Sequence, residues 1–137
     1  MKLAPSAFVA GPELLQALEN RATAISCDGD CVLFRQGDIP KGLYILGAGE
    51  ITLTMTSPGG EEVLSFQAHE GSLLGLPGLI IDEPYSLSAL AQRGAQLRFI
   101  SRDEITELMQ TDPRLTLKML EVLAAEVHSA RRALSDL

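Results

Sequence analysis

At 137 residues with a hydrophobic fraction of 46% and 21% charged residues, the chain has the size and balance of one globular domain with a sizeable core. Its net charge of -7 argues against a free-standing nucleic-acid binder, which ordinarily presents a basic face. No apolar run is long enough to span a bilayer, and Lys2 precedes a segment broken by Pro5, Gly11 and Pro12 that does not resemble a secretory signal, so a cytoplasmic location is expected.

The first predicted element starts at Gly11-Pro12-Glu13, where proline takes the first helical position and an acid lies in the first turn. Leu14, Leu15, Leu18 and Ala22 continue it at helical spacing to about Asn20. Cys27 and Cys31 follow in Cys-Asp-Gly-Asp-Cys. With no Cys or His partner nearby they read as free thiols flanking a turn, and Asp28 and Asp30 would raise their pKa values and oppose reactivity.

From about Ala24 to Ser101 the sequence reads as about eight short strands punctuated by turns, the pattern of an all-β barrel or jelly roll. Val32-Leu33-Phe34 and Leu43-Tyr44-Ile45-Leu46 are brief apolar strands. Ile51-Thr52-Leu53-Thr54-Met55-Thr56 alternates with period two, apolar side chains inward and threonines outward. Ser57-Pro58-Gly59-Gly60 turns the chain into a return strand carrying Val63, Leu64 and Phe66. After Leu73-Leu74 comes an irregular stretch with Gly75, Pro77, Gly78 and Pro84, and a new strand is predicted to start at about Tyr85. Such a long irregular insertion in a regular β pattern is where a scaffold places binding groups, so residues 73–89 read as a ligand cradle. Ala95 to Ile100 completes the strands.

Beyond Ile100 the period turns helical. Ser101-Arg102-Asp103-Glu104 fits a capping box, and Ile105, Leu108 and Met109 form one apolar face. Asp112 and Pro113 read as the cap and first residue of a last helix. There Leu120, Leu123, Val127, Ala130 and Leu134 are spaced as an a/d seam, which predicts a homodimer through that helix. Leu117, Val122 and Ala124 are expected to supply a separate face against the barrel.

Leu33-Phe34-Arg35-Gln36-Gly37-Asp38, Gly42 to Leu46, Gly49-Glu50-Ile51, Gly71 to Gly75, Pro84 to Ala89 and Phe99 to Glu104, in that order and spacing, resemble a cyclic-nucleotide-binding domain. The nearest resemblance is to the sensor domain of the cyclic-AMP receptor/Fnr family of bacterial transcription regulators, and it runs from about Ala22 to Leu134. It implies a double-stranded β-helix, or jelly-roll, barrel with flanking helices: an N-terminal helical segment over 1–23, the barrel over 24–101 and C-terminal helices over 102–137. It also implies that residues 73–89 occupy the place of the phosphate-binding cassette. Nucleotide-binding members carry a Gly-Glu pair whose glutamate takes the ribose hydroxyl, and an arginine, followed by a small hydroxyl residue, that pairs with the phosphate.

In this chain the matching positions are Gly75, Leu76, Pro77, Tyr85, Ser86 and Leu87, with Ala130 and Arg131 where the long helix can meet a base. Gly75 and Ser86 keep the outline, while Leu76 and Tyr85 replace the acid and the base. Each charge-assisted hydrogen bond so lost contributes about 1.5–3 kcal/mol, enough together to weaken cyclic-AMP or cyclic-GMP binding by orders of magnitude. The expectation is therefore a non-enzymatic sensor module with no cofactor, a small-molecule effector other than a cyclic nucleotide, and no membrane contact. Family regulators continue into a helix-turn-helix, whereas this sequence stops at Leu137, as a stand-alone sensor or a fragment would, so no DNA contact by this chain alone is expected. Two other readings stand beside it: a ligand-free dimerisation or partner-binding module whose pocket is plugged by Leu76 and Tyr85, and a haem or gas sensor using His69 or His128. A cupin-like metalloenzyme would need clustered ligands that the two histidines do not supply.

Overall fold

The structure, a computed structural model, describes residues 8–137. Lys2, Pro5 and the start of the predicted N-terminal segment lie outside them. The elements run α1 (Pro12–Glu19), β1 (Thr23–Ser26), β2 (Cys31–Phe34), β3 (Gly42–Ala48), β4 (Ile51–Thr56), β5 (Glu62–Ala68), β6 (Leu73–Leu74), α2 (Leu76–Ile81), β7 (Ser88–Ala91), β8 (Gln96–Ser101), α3 (Arg102–Thr111) and α4 (Pro113–Ser135). The strands form two four-stranded antiparallel sheets, ordered β1-β8-β3-β6 and β2-β7-β4-β5. None of the described helices is long and apolar enough to cross a membrane.

Two hydrophobic cores hold these layers together. One lies between the sheets and contains Phe34, Leu46, Ile51, Leu53, Ala89 and Leu97. The other lies between the first sheet and the helices, where Leu14, Leu18, Leu43, Ile45, Ile105 and Met119 meet. Strand β3 serves both: Leu43 and Ile45 face the helices, Tyr44 and Leu46 the other sheet. That double burial explains why it reads as a continuous apolar run, whereas β4 alternates. Strand β1 pairs only with β8 and is mostly exposed, so it carries little apolar signal.

The helix signals sit where expected, with local differences. Ser101 Oγ accepts from the Glu104 amide at 3.3 Å, but the Glu104 carboxylate does not reach back; it pairs with Arg21 at 2.9 Å and ties α3 to the turn after α1. Asp112 Oδ1 caps α4 by accepting from the Arg114 and Leu115 amides. The barrel-facing side of α4 differs from the predicted one. Leu115, Met119, Val122, Ser129 and Ala133 are buried there, whereas Leu117 and Ala124 are exposed. At about 100° per residue, Leu117 and Ala124 fall roughly opposite the Leu115–Val122 stripe, so they cannot share a face with Val122.

Candidate ligand-binding site

The stretch predicted to be irregular contains a short helix. Gly75 enters it with φ +94°, and Asp82 ends it in the left-handed region with φ +57°. Gly75 is required on two counts, since a Cβ there would also lie 2.7 Å from Tyr85 Cε1. After Asp82, whose carboxylate pairs with Arg102 at the start of α3, the chain does not enter a ladder at Tyr85. Residues 85–88 instead bond to the turn after β2: the Tyr85 amide donates to Asp38 O, the Gly37 amide to Tyr85 O and the Gln36 amide to Ser88 Oγ, at 2.8–2.9 Å. Both backbone groups of Tyr85 are thus engaged by that turn, and strand β7 begins at Ser88.

Between this segment, the inner faces of β2 and β4, and α4 lies a cavity of about 220 Å³. Phe8, Phe34, Leu53, Met55, Leu74 and Leu87 give it an apolar wall, completed by Gly75, Pro77, Gly78, Tyr85 and Ser86 from the cassette and by Glu126, Val127 and Ala130 from α4. No Arg, Lys or His is among the described residues that line it. The Tyr85 ring stacks on Phe34 at a centroid distance of 3.9 Å, and its hydroxyl donates to Gly42 O at 3.0 Å. Burial pushes its pKa up. The stacked pair also lines a second hollow of about 450 Å³ with Asp38, Lys41 and Tyr44, so Tyr85 and Phe34 form a wall between two spaces.

Glu126 is the one ionisable carboxyl among the described residues of the wall. It occupies the gap in the inward stripe of α4 between Val122 and Ser129. Its Oε1 is buried with no hydrogen-bond partner, and burial pushes its pKa up to about 8. On the flank of the same helix, Leu120, Val127 and Leu134 are each half exposed, with Leu123 and Ala130 partly buried between them.

Residues 25–112 match the cyclic nucleotide-binding domain family. The chain belongs to that family. As a cyclic nucleotide-binding domain it is 28% identical over 98 residues to the cyclic AMP receptor protein of Thermus thermophilus, covering 72% of this chain and 45% of that protein. It is also 30% identical over 97 residues to a cAMP-dependent protein kinase regulatory subunit of Blastocladiella emersonii, covering 71% of this chain and 23% of that one. The chain thus spans less than half the length of either relative. In fold it resembles the catabolite activator protein of Thermus thermophilus, with a TM-score of 0.79 at 23% identity, covering 96% of this chain and 62% of that one.

Within this cyclic nucleotide-binding domain, Gly75, Pro77, Tyr85, Ser86, Leu87 and Ala130 come together around the cavity. Leu76 does not: it is fully buried in the helix-side core, because the start of α2 turns it away from its neighbours. Arg131 is exposed on α4 and lies off the wall. Cys27 is buried and Cys31 partly so, both as free thiols; Cys27 is pushed up to about 11 by burial, by its hydrogen bond with Cys31 and by Asp28. His69 and His128 are exposed, and no metal-holding group of three His, Cys, Asp or Glu occurs among the described residues. Sequence reasoning missed Phe8, Phe34, Leu53, Met55 and above all Glu126. The signal for Glu126 was available in the stripe Leu115, Met119, Val122, Ser129, Ala133, whose single gap it fills.

Proposed function

We propose that this domain is a non-enzymatic regulatory sensor of the Crp/Fnr type, acting in the cytoplasm, whose cavity takes a small apolar effector in place of a cyclic nucleotide. The observation that carries the reading is that, among the described residues, the cavity wall holds a carboxyl whose Oε1 is buried and no cation. A cyclic phosphate there would lose its water without gaining an ion pair and would face an acid instead. Size points the same way, since about 220 Å³ is below the roughly 300–1,000 Å³ usual for larger ligands. The cavity persists beside Tyr85, which favours a ligand site over a plugged module, and neither histidine is on the wall to serve a haem. Calorimetry with cyclic AMP, cyclic GMP and cyclic dinucleotides is expected to show no binding at micromolar concentration; a clear micromolar heat signal overturns the reading.

The same proposal includes a homodimer through α4. The half-exposed Leu120, Val127 and Leu134 form a stripe that a second copy would bury at coiled-coil spacing. Analytical ultracentrifugation of the wild type is expected to give the dimer mass. Leu120→Glu with Leu134→Glu, neither of which lines the cavity, is expected to give a folded monomer. A wild-type monomer at hundreds of micromolar would rule the interface out.

A further inference from the structure

Glu126 is an acid whose Oε1 finds no partner among the described residues of the wall. Facing it are Phe8 from the N-terminal segment, Phe34 from β2, Leu53 and Met55 from β4, Leu74 from β6 and the residues of the cassette. Among the described residues Tyr85 is the one other titratable side chain on the wall, and its hydroxyl is committed to Gly42 O. A glutamate of a solvated helix face would turn its head to water, but Glu126 Oε1 is shut off from solvent and unpartnered. Leaving such an atom unsatisfied is costly unless something entering the cavity supplies a donor.

We propose that the cavity binds a small amphiphilic amine, a ring-sized apolar body bearing one ammonium group, and that Glu126 is the residue that reads the ammonium. This rests on the reading of the cavity as an effector site and narrows the effector's chemistry. An ammonium brings three donors and no acceptor, the complement of an ionised carboxylate, and the pair is strongest in a low-dielectric site. A carboxylate or phosphate ligand would find no cation among the described lining residues and could not drive Glu126 to ionise, and a neutral alcohol would bring one uncharged donor. The volume suits one ring and a short chain: a cavity of roughly 150 Å³ already admits benzene, and this one is about 220 Å³.

Proton bookkeeping gives a readout that simple apolar binding lacks. With Glu126 pushed up to about 8, the empty cavity holds a neutral carboxylic acid at pH near 7. When the ammonium enters, the carboxyl ionises against it and its proton leaves for the buffer.

The test is calorimetry on the full chain at neutral pH, in two buffers of different ionisation enthalpy, with 2-phenylethylamine, 2-phenylethanol and 3-phenylpropanoate. The amine is expected to bind about tenfold or more tighter than the alcohol. It should release close to one proton per ligand, with the alcohol releasing none and the propanoate not binding. Glu126→Gln should bring the amine down to about the alcohol's affinity and end proton release, and a native-like circular-dichroism spectrum with cooperative urea unfolding shows that the variant is folded. Equal affinity of amine and alcohol in the wild type, or an amine preference that survives E126Q, overturns the assignment to Glu126 and leaves the apolar-effector reading standing. Silence from all three probes overturns both.

Discussion

Wild-type protein is expected to lose stability steadily as the pH rises from about 5 to about 8, and Glu126→Gln is expected to lose far less. The sign follows from the direction of the shift. Glu126 has an ordinary value of 4.5 and is raised to about 8 in the folded state, so between those values the folded chain holds a proton the unfolded chain has released. Stability from this group is fully present below 4.5 and drains away as the pH climbs through the folded value. The slope is at most about 1.4 kcal/mol per pH unit, which puts a ceiling of about 5 kcal/mol on the total. That is a large part of the stability of a small domain. Glu126→Leu should go further and stabilise at every pH, since it removes an unpartnered polar atom from an apolar wall. Urea denaturation of the three proteins at pH 5, 6.5 and 8 checks this; parallel profiles for wild type and E126Q would sink it. Measurements should stop short of the range in which Cys27, raised to about 11, adds a loss of its own above its ordinary value of 9.0.

Tyr85→Ala is expected to be the most damaging single truncation at the cavity. Removing the ring takes away the stack on Phe34 and the hydroxyl bond to Gly42 O, and it opens the wall between the spaces of about 220 and 450 Å³. A buried aromatic truncated to alanine costs about 3–5 kcal/mol. Tyr85→Phe keeps the stack and gives up only the hydrogen bond, so it should cost about 1 kcal/mol. Chemical denaturation of the pair separates packing from hydrogen bonding. If the two variants are equally destabilised, the ring is not what holds the wall. With the wall gone, Y85A should also lose its preference for ring-sized probes, because the merged space no longer fits one ring.

These two residues illustrate what could and could not be seen in the chain. Strand β4 was legible because it is buried on one face and solvated on the other, and such a strand writes its environment into alternate positions. The starts of α3 and α4 were legible because Ser101 and Asp112 do local work that depends on a few neighbouring residues. Helix α2 was not, since six residues with a proline and a glycine cannot display a period. The stretch at residues 73–89 stood out by its irregularity, but which of its side chains face inward did not: Leu76 packs under the helices and Tyr85 between the sheets. Glu126 was passed over because a charged helix residue ordinarily marks a solvated face. The helical period of Leu115, Met119 and Val122 points at its position, and the packing shows that this face stays buried on past it to Ser129 and Ala133.

Val127 and Ala130 belong at once to the cavity wall and to the flank of α4 that carries Leu120 and Leu134. The two proposed events, filling the cavity and covering the helix with a second copy, would therefore act on the same two side chains. By thermodynamic linkage, whatever preference one has for the position of this helix is returned in equal measure by the other. Affinity for an effector would then be a property of protein concentration as much as of the cavity. A titration run at dilute protein and one run at concentrated protein should disagree, and the size of that disagreement measures how firmly the helix joins its two faces.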